Sequence, residues 1–140
     1  MSFDIIKKQV AGFCAVKSEI AACYLYGSYA SGTSRQGSDL DLAFLLTDAT
    51  PLSAYNDFRF KAIAELGRIT RIDVHPLIMN SAGEVVLEQV FRKGVCLYGG
   101  DTEALRVFRR RKLPLIADFG YYVELMRTKL KQRYGVQAHG

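Results

Sequence analysis

The sequence predicts a small α/β (α+β) domain, a mixed β-sheet flanked by helices and ending in a long helical C-terminal segment. Three observations predict it. Short apolar and aromatic runs alternate with stretches in which apolar residues recur at helical spacing. Turn-forming residues, Gly27-Ser28, Gly67, Gly94 and Gly99-Gly100, mark the changeovers. The composition, 49% hydrophobic and 24% charged over 140 residues, is that of an ordinary globular domain and excludes disorder and collagen-like structure. A single domain over 1–140 is expected, with its core over about 1–100 and a helical extension over about 101–135.

Taken in order, Ile5, Ile6, Val10, Phe13, Cys14 and Ile20 recur at helical spacing with lysines between them, which predicts an amphipathic helix from Phe3 to about Glu19. Ala22 to Tyr26 reads as a buried strand turning at Gly27-Ser28 into a helix start. A second strand is expected over Ser38 to Leu46. Phe58, Ile63, Ala64 and Leu66 then predict a helix that opens at Pro51-Leu52 and stops at Gly67. A third strand follows, roughly Ile69 to Met79. Ser81 with Glu84 three residues on has the pattern of a capping box for a helix to about Lys93, where Gly94 is placed to end it. Val95 to Tyr98 is a fourth strand closed by Gly99-Gly100. From Asp101-Thr102 a helical tail is expected, with a break at Pro114. Strand order is not readable from this pattern.

The net charge is +5, and nine basic residues against four acidic from Asp101 onward place the whole excess in the tail. The basic run Arg109 to Lys112 reads as a solvated helix face rather than a nucleic-acid contact. Leu105, Phe108, Leu115, Phe119, Tyr122, Val123, Met126 and Leu130 form a stripe along the same tail, expected chiefly to cover the chain's own sheet. Cys14, Cys23 and Cys96 are odd in number and set among apolar neighbours, which predicts reduced core thiols and a cytoplasmic protein. The apolar stretch after Lys7-Lys8 is interrupted at Lys17 and Glu19, so neither a leader nor a membrane span is expected.

Chemistry concentrates between Gly27 and Asp41. A Gly-Ser at a strand-to-helix turn offers backbone N–H groups and a hydroxyl to a phosphate. Asp39 and Asp41, two apart, project their carboxylates the same way while Leu40 and Leu42 point into the core. Two like charges side by side repel each other, and a divalent cation with oxygen ligands is the commonest reason to keep them. Asp73, within Arg71-Ile72-Asp73-Val74-His75, adds a third carboxylate from the next strand.

Gly27-Ser28, ten residues from Tyr29 to Ser38, then Asp39-Leu40-Asp41 resembles the Gly-Ser-x10-Asp-x-Asp pattern of the DNA polymerase β-like nucleotidyltransferases. The small size is similar to the minimal nucleotidyltransferases that act as antitoxins beside HEPN toxins. The resemblance spans about Ala22 to Gly99. It departs at Ser31, where many relatives carry an arginine. It implies a nucleotidyltransferase fold and two Mg2+ ions, with Asp39 and Asp41 on both ions and Asp73 on the catalytic one. Gly27 and Ser28 would hold the triphosphate of ATP. By the same resemblance the chain is a protein adenylyltransferase that passes AMP to a tyrosine of a HEPN-type toxin in a hetero-oligomer. Two alternatives stay open: a non-catalytic antitoxin that binds its partner through the C-terminal helix, and a subunit modifying a small molecule or RNA. His75 is expected on the face of Asp73, as a site residue or a structural one. Arg35 and Tyr29 have the same two readings, phosphate or base contact against exposed loop or helix packing.

Overall fold

The computed structural model describes residues 2–134. Within them α1 (Phe3–Ala15) leads to β1 (Ile20–Tyr26), a one-turn α2 (Ser28–Ser31) and β2 (Leu40–Leu46). Then follow α3 (Tyr55–Thr70), β3 (Val74–Ile78), α4 (Glu84–Lys93), β4 (Val95–Tyr98) and α5 (Glu103–Tyr134). The sheet order is β3-β2-β1-β4, with β1 antiparallel to both neighbours and β2 parallel to β3. The predicted mixed sheet flanked by helices is the fold observed.

Alternation along the strands sorts the core into two halves. Cys23, Leu25, Leu42, Phe44 and Leu46 pack with Ile6, Val10 and Phe13 of α1 and Phe58, Ala62 and Leu66 of α3. Phe44 meets Phe13 and Phe58 edge to face, at centroid distances of 6.2 and 5.1 Å. On the opposite face Ala22, Tyr24, Ala43 and Leu45 pack with Leu87 and Val90 of α4 and Leu105 of α5. Asp41 and Tyr26 belong by the same alternation to this second face, and both are only partly buried.

Several element boundaries differ from expectation. The first helix ends at Ala15 rather than Glu19, since its last buried residue is Cys14 and the chain must turn before the buried strand at Ile20. β2 and β3 start later than expected, leaving Asp39 and Asp73 one residue ahead of their strands, with the Leu40 N–H donating to the Asp73 carbonyl at 2.8 Å. Helix α3 runs through Gly67 to Thr70. A helical glycine costs only about 1 kcal/mol relative to alanine, and the buried Leu66 and Thr70 hold the next turn in place. The Thr70 hydroxyl donates to Leu66 O at 2.7 Å and accepts from Ile72 N at 3.2 Å, tying down Arg71 in its left-handed conformation (φ 60°).

The expected capping box at Ser81 does not form. The Asn80 amide bonds both the N–H and the carbonyl of Leu46, at 2.9 and 2.8 Å, and draws Met79–Ser81 into a 3₁₀ turn against the end of β2. Gly83 then becomes the N-cap of α4, without a side-chain bond. Gly94 does end α4, in an extended conformation that brings it against the Val90 and Leu25 carbonyls, where a Cβ would collide. β3 is an edge strand with Pro76 at its middle.

The tail departs furthest. Pro114 sits inside a continuous α5 of 32 residues instead of breaking it. At 1.5 Å per residue such a helix is about 48 Å long, whereas four strands at their usual spacing are only about 19 Å across. The apolar stripe therefore outruns the sheet. Leu105 is buried, and Phe108 and Ile116 are partly so, but Leu115, Phe119, Tyr122, Met126 and Leu130 are exposed. Within the basic run Arg109 lies over the Phe91 ring and donates to the Tyr24 hydroxyl at 3.2 Å, and Lys112 lies over Phe108, so the run is not uniformly solvated. Cys14 and Cys23 are buried and Cys96 half-buried, all three as free thiols.

Candidate active site

Two parts of the Gly-Ser-x10-Asp-x-Asp pattern meet where β1 ends. β1 and β2 pair so that Tyr26 faces Asp41, which delivers Gly27 against the Asp41 carboxylate. Gly27 has φ 73°, and a Cβ there would overlap Asp41 Oδ2. Only glycine satisfies both conditions. Ser28 opens α2, whose single turn closes at Gly32, and Ser31 and Thr33 share a hydroxyl contact of 2.8 Å. Ser31 thus takes part in a local hydroxyl network at the position where an arginine would reach outward.

Across the sheet on its other side, β2 and β3 place His75 opposite Asp41, with Nδ1 3.3 Å from Oδ1. Burial pushes the Asp41 carboxyl above its usual range, the His75 hydrogen bond and charge draw it down, and the Asp39 charge pushes it up again. Tyr26, half-buried, has its hydroxyl pushed up to about 12 by burial and by the Asp41 charge. Leu40 and Leu42, which alternate with the acids along the chain, are fully buried.

The structure thus brings together Gly27, Asp41 and His75, with Asp39 near enough to repel Asp41. Asp73 stands at the head of β3 with an exposed side chain, tied to β2 through its backbone carbonyl. Among the described residues no three His, Cys, Asp or Glu side chains form a ready-made metal cage. The chemistry of the donors nevertheless suits a divalent cation of the magnesium type. Oxygen is what such an ion takes, and two neighbouring carboxylates are the usual source of its charge compensation. Tyr29 packs against the core, and Arg35 lies in the exposed loop, its N–H bonded to Ser38 Oγ at 2.8 Å. Sequence reasoning missed Tyr26, whose place beside Asp41 follows from strand register alone.

Residues 8–103 match the family described as Polymerase beta, Nucleotidyltransferase. The chain belongs to that family. The match takes in Gly27, Ser28, Asp39, Asp41 and Asp73 of this polymerase β-type nucleotidyltransferase and leaves nearly all of α5 outside. The protein adenylyltransferase MntA of Shewanella oneidensis is 34% identical to it over 76 residues, 54% of this chain and 52% of the relative. The chain therefore spans about half the length of that relative. A toxin–antitoxin structure with AMP-PNP superposes with a TM-score of 0.70 at 22% identity, over 89% of this chain and 97% of the other. The tri-AMPylated Shewanella oneidensis HEPN toxin in complex with an MNT antitoxin gives 0.62 at 18% identity, over 95% and 98%. These two likenesses establish the nucleotidyltransferase fold. Among the described residues no helix is long and apolar enough to cross a membrane.

Proposed function

We propose that the chain is a magnesium-dependent protein adenylyltransferase that acts as an antitoxin in the cytoplasm, moving AMP from ATP to a tyrosine hydroxyl of a HEPN-type toxin. The observation that carries this reading is the fit of Gly27 against Asp41, which joins the phosphate-binding and acidic halves of the family's motif at one point. MntA and the AMPylated-toxin complex supply the choice of nucleotide and acceptor.

In this reading Asp39 and Asp41 would hold two magnesium ions, with Asp73 as a further carboxylate ligand. When bound, they lower the pKa of the attacking hydroxyl and neutralise charge on the departing pyrophosphate. Gly27 and Ser28 take the triphosphate through backbone N–H groups and the Ser28 hydroxyl. The acceptor oxygen bonds to the α-phosphorus as the bond from that phosphorus to the bridging oxygen of pyrophosphate breaks. Asp73, exposed at the head of β3, is open to the acceptor and steers its proton.

The test is the intact mass of a HEPN-type toxin after incubation with the chain, ATP and magnesium. AMP increments are expected with the native chain and none with Asp39→Asn, Asp41→Asn. Full labelling by that double variant would sink the catalytic reading.

The exposed apolar face of α5 favours a second reading, neutralisation by binding alone. It predicts that the carboxylate variants still neutralise the toxin and that a chain ending at Ala117 does not.

A further inference from the structure

His75 is not part of the Gly-Ser and aspartate pattern, yet it occupies a defined place beside it. Parallel register sets it opposite Asp41, and its Nδ1 stands 3.3 Å from Oδ1. The other oxygen, Oδ2, faces Gly27, which has no side chain to touch it. Tyr26 flanks Asp41 on the remaining side of the strand, and Asp39 repels it. Among the described residues His75 is the one side chain that draws the Asp41 carboxylate toward itself. The His75 side chain is 72% exposed and that of Asp41 26%, so the ring adds little to the core.

We propose that His75 is a positioning residue that fixes the Asp41 carboxylate through Oδ1, leaving Oδ2 turned toward Gly27 for a divalent cation. The proposal rests on the nucleotidyltransferase reading above. Its physical content is preorganisation: a carboxylate held in one rotamer does not have to be ordered when its ligand arrives, and partners that hold metal ligands in this way typically contribute about 10-fold or more in affinity. Nδ1 is the atom engaged, which separates positioning from mere bulk or charge. Asparagine carries an amide nitrogen at nearly the same distance from the backbone as Nδ1, whereas the glutamine amide reaches to the distance of Nε2.

The test uses manganese as the probe, titrated into the full chain and followed by the electron paramagnetic resonance of free Mn2+. His75→Ala is expected to weaken binding by about 10-fold, His75→Asn to restore most of it, and His75→Gln to behave as alanine. The half-saturating magnesium for AMP transfer shifts in the same order while kcat at saturating magnesium changes less. Melting temperatures of the three variants stay together, since the side chain is exposed. Wild-type binding in His75→Ala, or an asparagine variant no better than alanine, overturns the proposal while leaving the function intact. A native chain that neither binds manganese nor transfers AMP overturns the function and the proposal with it.

Discussion

Gly27 and Asp41 are fourteen positions apart in sequence and neighbours in space, and each constrains what the other can be. Gly27→Ala forces a left-handed conformation on a residue with a Cβ, about 1–2 kcal/mol, and drives that Cβ into the carboxylate. The expected outcome is a modest drop in melting temperature with a much larger loss of AMP transfer, at least about 10-fold for a displaced ligand; unchanged transfer would separate Gly27 from the site. Asp41 makes a prediction of the opposite sign for stability. Burial raises its carboxyl, against the pull of His75, so the native state holds a proton more readily than the unfolded chain. Its favourable contribution is complete below the ordinary carboxylate value and is lost as the pH rises through the raised one. Asp41→Asn should therefore melt at or above the native chain at pH 7, with the gap closing as the pH falls below the usual carboxylate range. Melting curves across that range check the sign, and a variant less stable at neutral pH reverses it.

At the scale of elements, α5 divides into a part that packs and a part that does not. Leu105 is 2% exposed and Leu130 49%. Leu105→Ala is expected to cost about 2–4 kcal/mol and Leu130→Ala within about 0.5 kcal/mol, as measured by urea unfolding; equal costs would mean that the distal half is covered. This division was not legible in the sequence, because periodicity marks an apolar face without saying what lies opposite it. The same limit explains Gly67 and Pro114, both taken for boundaries and both carried inside helices by neighbouring turns. Asn80 left no signal either, since its two bonds to Leu46 span 34 positions. What was legible was local: β4 between Gly94 and Gly99, the end of α4, and the fixed spacing from Gly27 to Asp41. The places of Tyr26 and His75 on either side of Asp41 needed strand order and register, which alternation alone does not encode.

The molecule as a whole is a three-layer domain with a long basic helix projecting past it. A chain ending at Ala117 keeps Leu105, Phe108 and Ile116 and should fold with a melting temperature within about 4 °C of the full chain, the shift of about 1 kcal/mol at this size. A collapse of the transition on truncation would show that the distal helix supports the core. The edges of the sheet set a further property. β4 has only four residues, and β3 carries Pro76, which has no N–H to offer an incoming strand. Growth by strand addition is discouraged at both margins. A chain with this much apolar helix on show is thus guarded against fibre-like stacking of strands, and association is left to its helical surfaces.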